Sequence, residues 1–230
     1  MSITVDNIQG RVASIVDQDQ DTSNIDSGDY ALRLDFINRR ERMWAEAGKW
    51  NNLVKEFNSL ISTSTGNTSI ALPADFRALA GFPKITFDGN STSQYTEIKP
   101  QDEGNFDPSV DKYVKILGNP YSGYTMVGSP GTANKLFASG ASVKVIYFSI
   151  PTSHASPANV VTCSNPEYLI QGVIADFWES RDDPRYQNAK VEANLILQNM
   201  LEFENTPSEA SYDRNVKTIE ETRYAYRWGK

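Results

Sequence analysis

Ser62-Thr63-Ser64-Thr65-Gly66-Asn67-Thr68-Ser69 marks the place where the periodicity of the chain changes. By composition this run of small polar residues is a loop. Upstream of it, apolar residues recur at helical spacing. Val5, Ile8, Val12, Ile15 and Val16 predict a first helix, with Thr4 or Asp6 as its cap. After a polar stretch from Asp17 to Gly28, Ser27 or Asp29 caps a longer pattern through Tyr30, Leu34, Ile37 and Trp44, with Phe36 and Met43 alongside. Gly48 kinks or divides it, and Trp50, Leu53, Val54, Phe57, Leu60 and Ile61 continue at helical spacing. Downstream of the loop the signal is β. Short stretches at Ser69–Leu72, Lys84–Asp88, Tyr95–Ile98, Tyr113–Leu117, Tyr124–Val127 and Ala141–Ile150 alternate with turn formers. Asp88-Gly89-Asn90 and Gly118-Asn119-Pro120 are the clearest of these.

Helices return at the far end. Ser164 or Asn165 caps a helix with Pro166 in its first turn and Leu169, Val173, Ile174, Phe177 and Trp178 on its buried stripe. Asp182-Asp183-Pro184 ends it and caps the next, whose seam is Ala189, Ala193, Ile196, Met200 and Phe203. Thr206-Pro207-Ser208 breaks that helix, and the last 23 residues are polar. The fold class is therefore α+β. Helices from 1–65 and 161–205 form a bundle, 66–160 is an inserted small antiparallel β-sandwich or barrel, and 206–230 is an extended C-terminal arm.

Composition narrows the function. The 230 residues carry a net charge of −7, with 39% hydrophobic and 22% charged residues, an ordinary globular balance. The acidity argues against a protein that grips DNA through its phosphates. Cys163 is the single cysteine, so an internal disulfide or a cysteine-built zinc site is excluded. The start lacks a basic stretch followed by an apolar one, and no apolar run is long enough to span a bilayer, so the expectation is a soluble, reduced, cytosolic product with no membrane contact.

Catalytic patterns are weak. His154, the only histidine, lies in Pro151-Thr152-Ser153-His154-Ala155-Ser156-Pro157, which reads as a loop exposing it to solvent. No serine sits in a Gly-x-Ser-x-Gly elbow, and Cys163 reads as a small apolar filler before a helix. Asp17, Asp19 and Asp21 imitate the opening of a calcium loop, but Thr22 and Gly28 stand where that loop needs glycine and glutamate. Asp182 and Asp183 read as caps rather than an acid–base pair. No phosphate-binding glycine pattern occurs, and no cofactor is expected. Arg39, Arg40 and Arg42 form a basic run on the long helix, either a solvated face with local ion pairs or a subunit contact. Tyr95, Tyr113, Tyr121 and Tyr124 leave open a carbohydrate- or peptide-binding module on a helical support, although strand packing accounts for them more simply. A hydrolase built on His154 ranks last.

Three stretches carry a family resemblance: Arg39-Arg40-Glu41-Arg42-Met43-Trp44 with Trp50-Asn51-Asn52-Leu53, then Leu72-Pro73-Ala74-Asp75-Phe76-Arg77, then the helix pair Pro166–Trp178 and Pro184–Phe203. Together they resemble the head-to-tail adaptor (connector or tail-tubular type) proteins of tailed bacteriophages, especially short-tailed phages, over about residues 1–205. The resemblance implies a homo-oligomeric ring of twelve subunits in the virion. That ring would sit between the portal protein and the tail nozzle or tube and pass double-stranded DNA without holding it. It implies a structural role and no enzymatic one. On this reading Arg223, Tyr224, Tyr226, Arg227 and Trp228 anchor the C-terminal arm on the portal, the alternative being a frayed, solvated end, and Arg39, Arg40 and Arg42 meet a neighbouring subunit.

Overall fold

A computed structural model describes residues 2–19, 21–60, 69–87, 91–106, 112–128 and 142–205. The chain separates into two compact units, Met1–Gly48 with His154–Lys230, and Lys49–Ser153.

The first unit is helical: α1 (Val5–Val16), α2 (Ser27–Ala47), α3 (Pro166–Glu179) and α4 (Tyr186–Asn205). Local chemistry sets each start. Thr4 and Asn7 form a reciprocal capping box on α1. Asp26, rather than Ser27 or Asp29, caps α2 by accepting from the Gly28 amide at 2.8 Å. Asn165 caps α3 with Pro166 in the first turn, and Asp183 accepts from the Arg185 amide just before α4. The short link makes α3 and α4 an antiparallel pair. Helix α3 is the centre of the unit. It buries Tyr168, Leu169, Ile170, Val173, Ile174 and Phe177, and α1, α2 and α4 all pack against it. The returning segment is tied to the N-terminus: the Val5 amide donates to Asn159 O at 2.9 Å and the Val161 amide to Ile3 O at 3.0 Å.

The second unit holds two sheets. One contains β1 (Val54–Leu60), β3 (Phe76–Leu79), β4 (Lys84–Phe87), β5 (Ser91–Gln94) and β9 (Ser142–Ser149), in the order β1-β9-β4-β5 with β3 also on β9. The other contains β2 (Ser69–Ala71), β6 (Thr96–Glu97), β7 (Tyr113–Asn119) and β8 (Gly123–Gly128), in the order β2-β8-β7-β6. Pairing is antiparallel except between β6 and β7. Val143, Val145 and Tyr147 from β9 meet Val114 of β7 and Met126 of β8 in one core, as alternate residues on facing sheets must. In the β7–β8 hairpin, Gly118 sits at φ 111, and a Cβ there would come within 2.1 Å of Gly123 O. Only glycine fits.

The Leu72–Arg77 stretch explains itself structurally. Leu72 and Phe76 enter the core, and the Phe76 amide closes a turn onto Pro73 O. Asp75, just before β3, bonds to β1 and to β9 and its end: its carboxylate accepts from Tyr147 Oη at 2.9 Å and Lys55 Nζ at 2.7 Å, and its carbonyl accepts from the Ile150 amide. Burial of the Asp75 carboxyl works against its charge, but Lys55 and Tyr147 outweigh it and hold the group below the usual carboxylate range.

Other expectations change as well. Residues 54–60 are a strand, not a helix: β1 pairs along its whole length with β9, from Val54 opposite Phe148 to Leu60 opposite Ser142. The helical spacing of 50, 53, 54, 57, 60 and 61 is coincidental, and a full antiparallel ladder overrides it. Helix α2 therefore ends at Gly48. Two further strands were not foreseen, β3 and β5, both only four residues long. Phe203, placed on the buried seam of α4, is 81% exposed, whereas Ala189, Ala193 and Met200 are buried as expected. The loop at 62–68, the Asp88-Gly89-Asn90 turn and the arm at 206–230 lie outside the described residues. No helix among the described residues is long and apolar enough to cross a membrane.

Candidate partner-binding surfaces

The inward stripe of α2 is Arg33, Phe36, Ile37, Arg40, Glu41, Trp44 and Ala45, a regular three–four spacing in which three of seven side chains are charged. Each charge is answered. Arg33 Nη2 donates to Asp17 Oδ2 at 2.7 Å, and its guanidinium lies 4.4 Å from the Phe177 ring centre. Arg40 grips Asp176 of α3 with two bonds, Nε to Oδ2 at 2.7 Å and Nη2 to Oδ1 at 2.5 Å. Burial opposes the Arg40 charge, but the Asp176 carboxylate more than compensates and raises its pKa. Glu41 Oε2 meets His154 Nε2 at 2.6 Å, while Oε1 accepts from the amides of Thr162 and Cys163. Asn38 braces the same segment, donating to His154 O at 3.0 Å and accepting from the His154 amide at 2.6 Å. This polar interior fastens the returning chain, 154–163, to α2.

The catalytic candidates are part of that fastening. His154 is buried, not exposed, because Glu41 and Asn38 draw it inward. Cys163 is buried too, its Sγ 3.3 Å from Asn165 O, and burial pushes the thiol up to about 12. The reactive thiolate is then only about one part in ten thousand at pH 8. The expected result is that iodoacetamide leaves the native chain unmodified for hours at pH 8 and alkylates it within minutes in denaturant, as read by intact mass. Rapid native labelling would show an open, reactive thiol instead.

Asp17, Asp19 and Asp21 border a hollow of about 340 Å³ together with Asn24, Asp26 and Asp29. Their carboxylates are engaged locally. Asp17 pairs with Arg33, Asp19 accepts from the Asp21 amide and Asn24 Nδ2, and Asp21 accepts from the Ser23 amide and hydroxyl. Among the described residues no group of His, Cys, Asp and Glu is placed to hold a metal ion. Asp183 caps and pairs with Arg185, while Asp182 lies in the turn at φ 55. The four tyrosines do not line one exposed face: Tyr95 and Tyr113 are buried, Tyr124 packs against the core, and Tyr121 is fully exposed.

The basic run divides. Arg40 belongs to the interior and cannot serve as a surface contact, because the helical turn that carries it faces α3. Arg39 and Arg42 are exposed beside half-open Leu32 and Met43. Among the described residues every other arginine has a carboxylate or an aromatic ring against it. Sequence reasoning missed Asn38, Glu41 and Asp176 as organisers of the interior. The signal was present, since 33, 37, 40, 41 and 44 share one helix face, but charged residues do not register as core. Arg223, Tyr224, Tyr226, Arg227 and Trp228 lie outside the described residues.

The family model described as SU10 adaptor protein matches residues 3–216. No curated protein matches the chain.

Proposed function

Because the chain belongs to the SU10 adaptor protein family, and is thus a phage structural adaptor, we propose that it forms a ring joining the portal to the tail and lining part of the path for double-stranded DNA. The observation that carries this reading is the family match across almost the whole chain, both compact units included. Twelve copies, a short-tailed phage, synthesis in the host cytoplasm and a nozzle or tube protein on the far side complete the proposal.

Physical chemistry supports it. A net charge of −7 suits a conduit, since like charge keeps phosphates from adhering to a wall. The role is structural rather than enzymatic, in keeping with a histidine and a cysteine both committed to internal bonds. Arg39 and Arg42 are surface cations available to another polypeptide. The arm from Thr206 onward, with Arg223, Tyr224, Tyr226, Arg227 and Trp228, carries the residue types that anchor interfaces and binds the portal.

Electron microscopy of the full chain mixed with the purified portal of the same phage tests both parts. The full chain is expected to add a ring of density to the portal, and a chain ending at Asn205 is expected to lose it. Full-chain mixtures that leave the portal bare overturn the adaptor ring. Undiminished binding by the shortened chain overturns the anchor alone.

A further inference from the structure

Helix α4 packs on α3 through Ala189, Ala193 and Met200, and no other described helix packs on it to a comparable extent. At about 3.6 residues per turn, Val191, Leu195 and Glu202 lie together on the opposite side, with Glu192 at its border. Val191 is 68% exposed and Leu195 55%, one turn apart, and exposed Phe203 stands near the end of the same helix. This outer face carries carboxylates and no cation. Lys190, the one cation of α4, is on the flank and is drawn to Glu179 at 3.3 Å and to the Tyr186 ring. Arg185, just before the helix, is held by Asp183.

The chain itself supplies matching chemistry. It continues past Asn205 for 25 residues, 206–230, so the arm starts where this face ends. Arg223-Tyr224-Ala225-Tyr226-Arg227-Trp228-Gly229-Lys230 closes it with three cations, three large aromatic residues and no acid. The acids of the arm, Glu209, Asp213, Glu220 and Glu221, all come earlier, among Arg214 and Lys217. Length permits a return: Val191 lies 14 helical residues before Asn205, about 21 Å. Arg223 lies 18 residues after it, a reach of up to about 60 Å. A segment joined to the helix it covers binds as an intramolecular partner, which a second copy at micromolar concentration cannot match.

We propose that in the free subunit residues 223–230 cover the outer face of α4 of the same chain. The aromatic side chains lie over Val191 and Leu195, and the cations answer the carboxylates of Glu192 and Glu202. The portal then competes with α4 for one set of residues, so the anchor is held back until a portal is there to take it. This rests on the portal-anchor reading above and adds its regulation: a free chain keeps both the arm and the α4 face occupied.

Labelling of one introduced thiol tests the covering contact. The full chain and a chain ending at Asn205 are each prepared as Leu195→Cys and treated with a water-soluble maleimide, followed by intact mass. Native Cys163 is buried and, by staying unlabelled, reports that the bundle is folded. The full chain is expected to label at least roughly tenfold more slowly, because the thiol reacts only in the fraction of chains whose arm is off. Equal rates overturn the proposal. So does protection that fades on dilution, which makes a second copy the cover. Arg223→Glu with Arg227→Glu should bring the full chain most of the way to the rate of the shortened one, and an unchanged rate overturns the role of those cations. Portal affinity reads the competition. Val191→Lys with Leu195→Lys repels the arm, so that variant is expected to bind purified portal several-fold more tightly than the native chain. Unchanged or weaker binding overturns the competition. The two readings fail separately: equal labelling beside normal portal binding removes only the covering contact, whereas a shielded thiol in a chain that leaves the portal bare removes the adaptor ring and the competition with it.

Discussion

Replacing Asp176 by alanine is expected to lower the stability of the helical unit by about 3–5 kcal/mol, the usual effect of leaving a buried charge without its partner. Arg40 and Asp176 are each 5% exposed, so water cannot replace the lost carboxylate. The guanidinium has no room to swing aside. Its stem crosses α3 at Gly172, where an added Cβ would lie 2.9 Å from Arg40 Cδ. Urea unfolding of the full chain followed by circular dichroism at 222 nm measures the change. Replacing both partners by apolar residues, Arg40→Met with Asp176→Leu, should recover most of it, because the cost lies in the orphaned charge rather than in the lost attraction. A loss below about 1 kcal/mol for Asp176→Ala would mean the pair is solvated and does not fasten α2 to α3.

Phe76→Ala is expected to cost the sandwich about 3–5 kcal/mol. The ring is 1% exposed, and its centre lies 5.3 Å from that of Tyr124 and 5.7 Å from that of Tyr147. Its removal opens a cavity between the two sheets. Asp75, its neighbour, also holds Lys55 and Tyr147, so the damage spreads along β1 and β9. Native-state hydrogen exchange reads the effect: amides of β7, β8 and β9 should exchange at least roughly a hundredfold faster. Phe82→Ala is the control, at 61% exposure, and should leave those rates unchanged. Equal acceleration by both would show that Phe76 is not a keystone of the core.

How much of this could be read beforehand depended on whether a residue obeyed its type. Thr4, Asn165 and Pro166 mark helix starts because capping is local chemistry within four residues. The strand at 142–149 was legible because Val143, Val145 and Tyr147 alternate. Strand β1 was not, since its partner lies nearly ninety residues away and only that pairing decides between helix and strand. The inside of α2 escaped for a different reason: Arg33, Arg40 and Glu41 occupy core positions that pattern reading assigns to solvent. With them His154 was misplaced, because the carboxylate that draws it in lies 113 positions earlier. The exposed arginines, Arg39 and Arg42, were visible as a run, but nothing in the run distinguishes them from Arg40.

The central helix of the bundle is made long after the first two helices that pack on it. Helices α1 and α2 leave the ribosome with Val5, Ile8, Ile37 and Trp44 ready for burial, yet α3 begins at Pro166, more than a hundred residues later. At about 5–20 residues per second that is a wait on the order of ten seconds. The sandwich between them can finish in that interval, while the first two helices remain greasy and unsheltered, a window in which chaperones would matter.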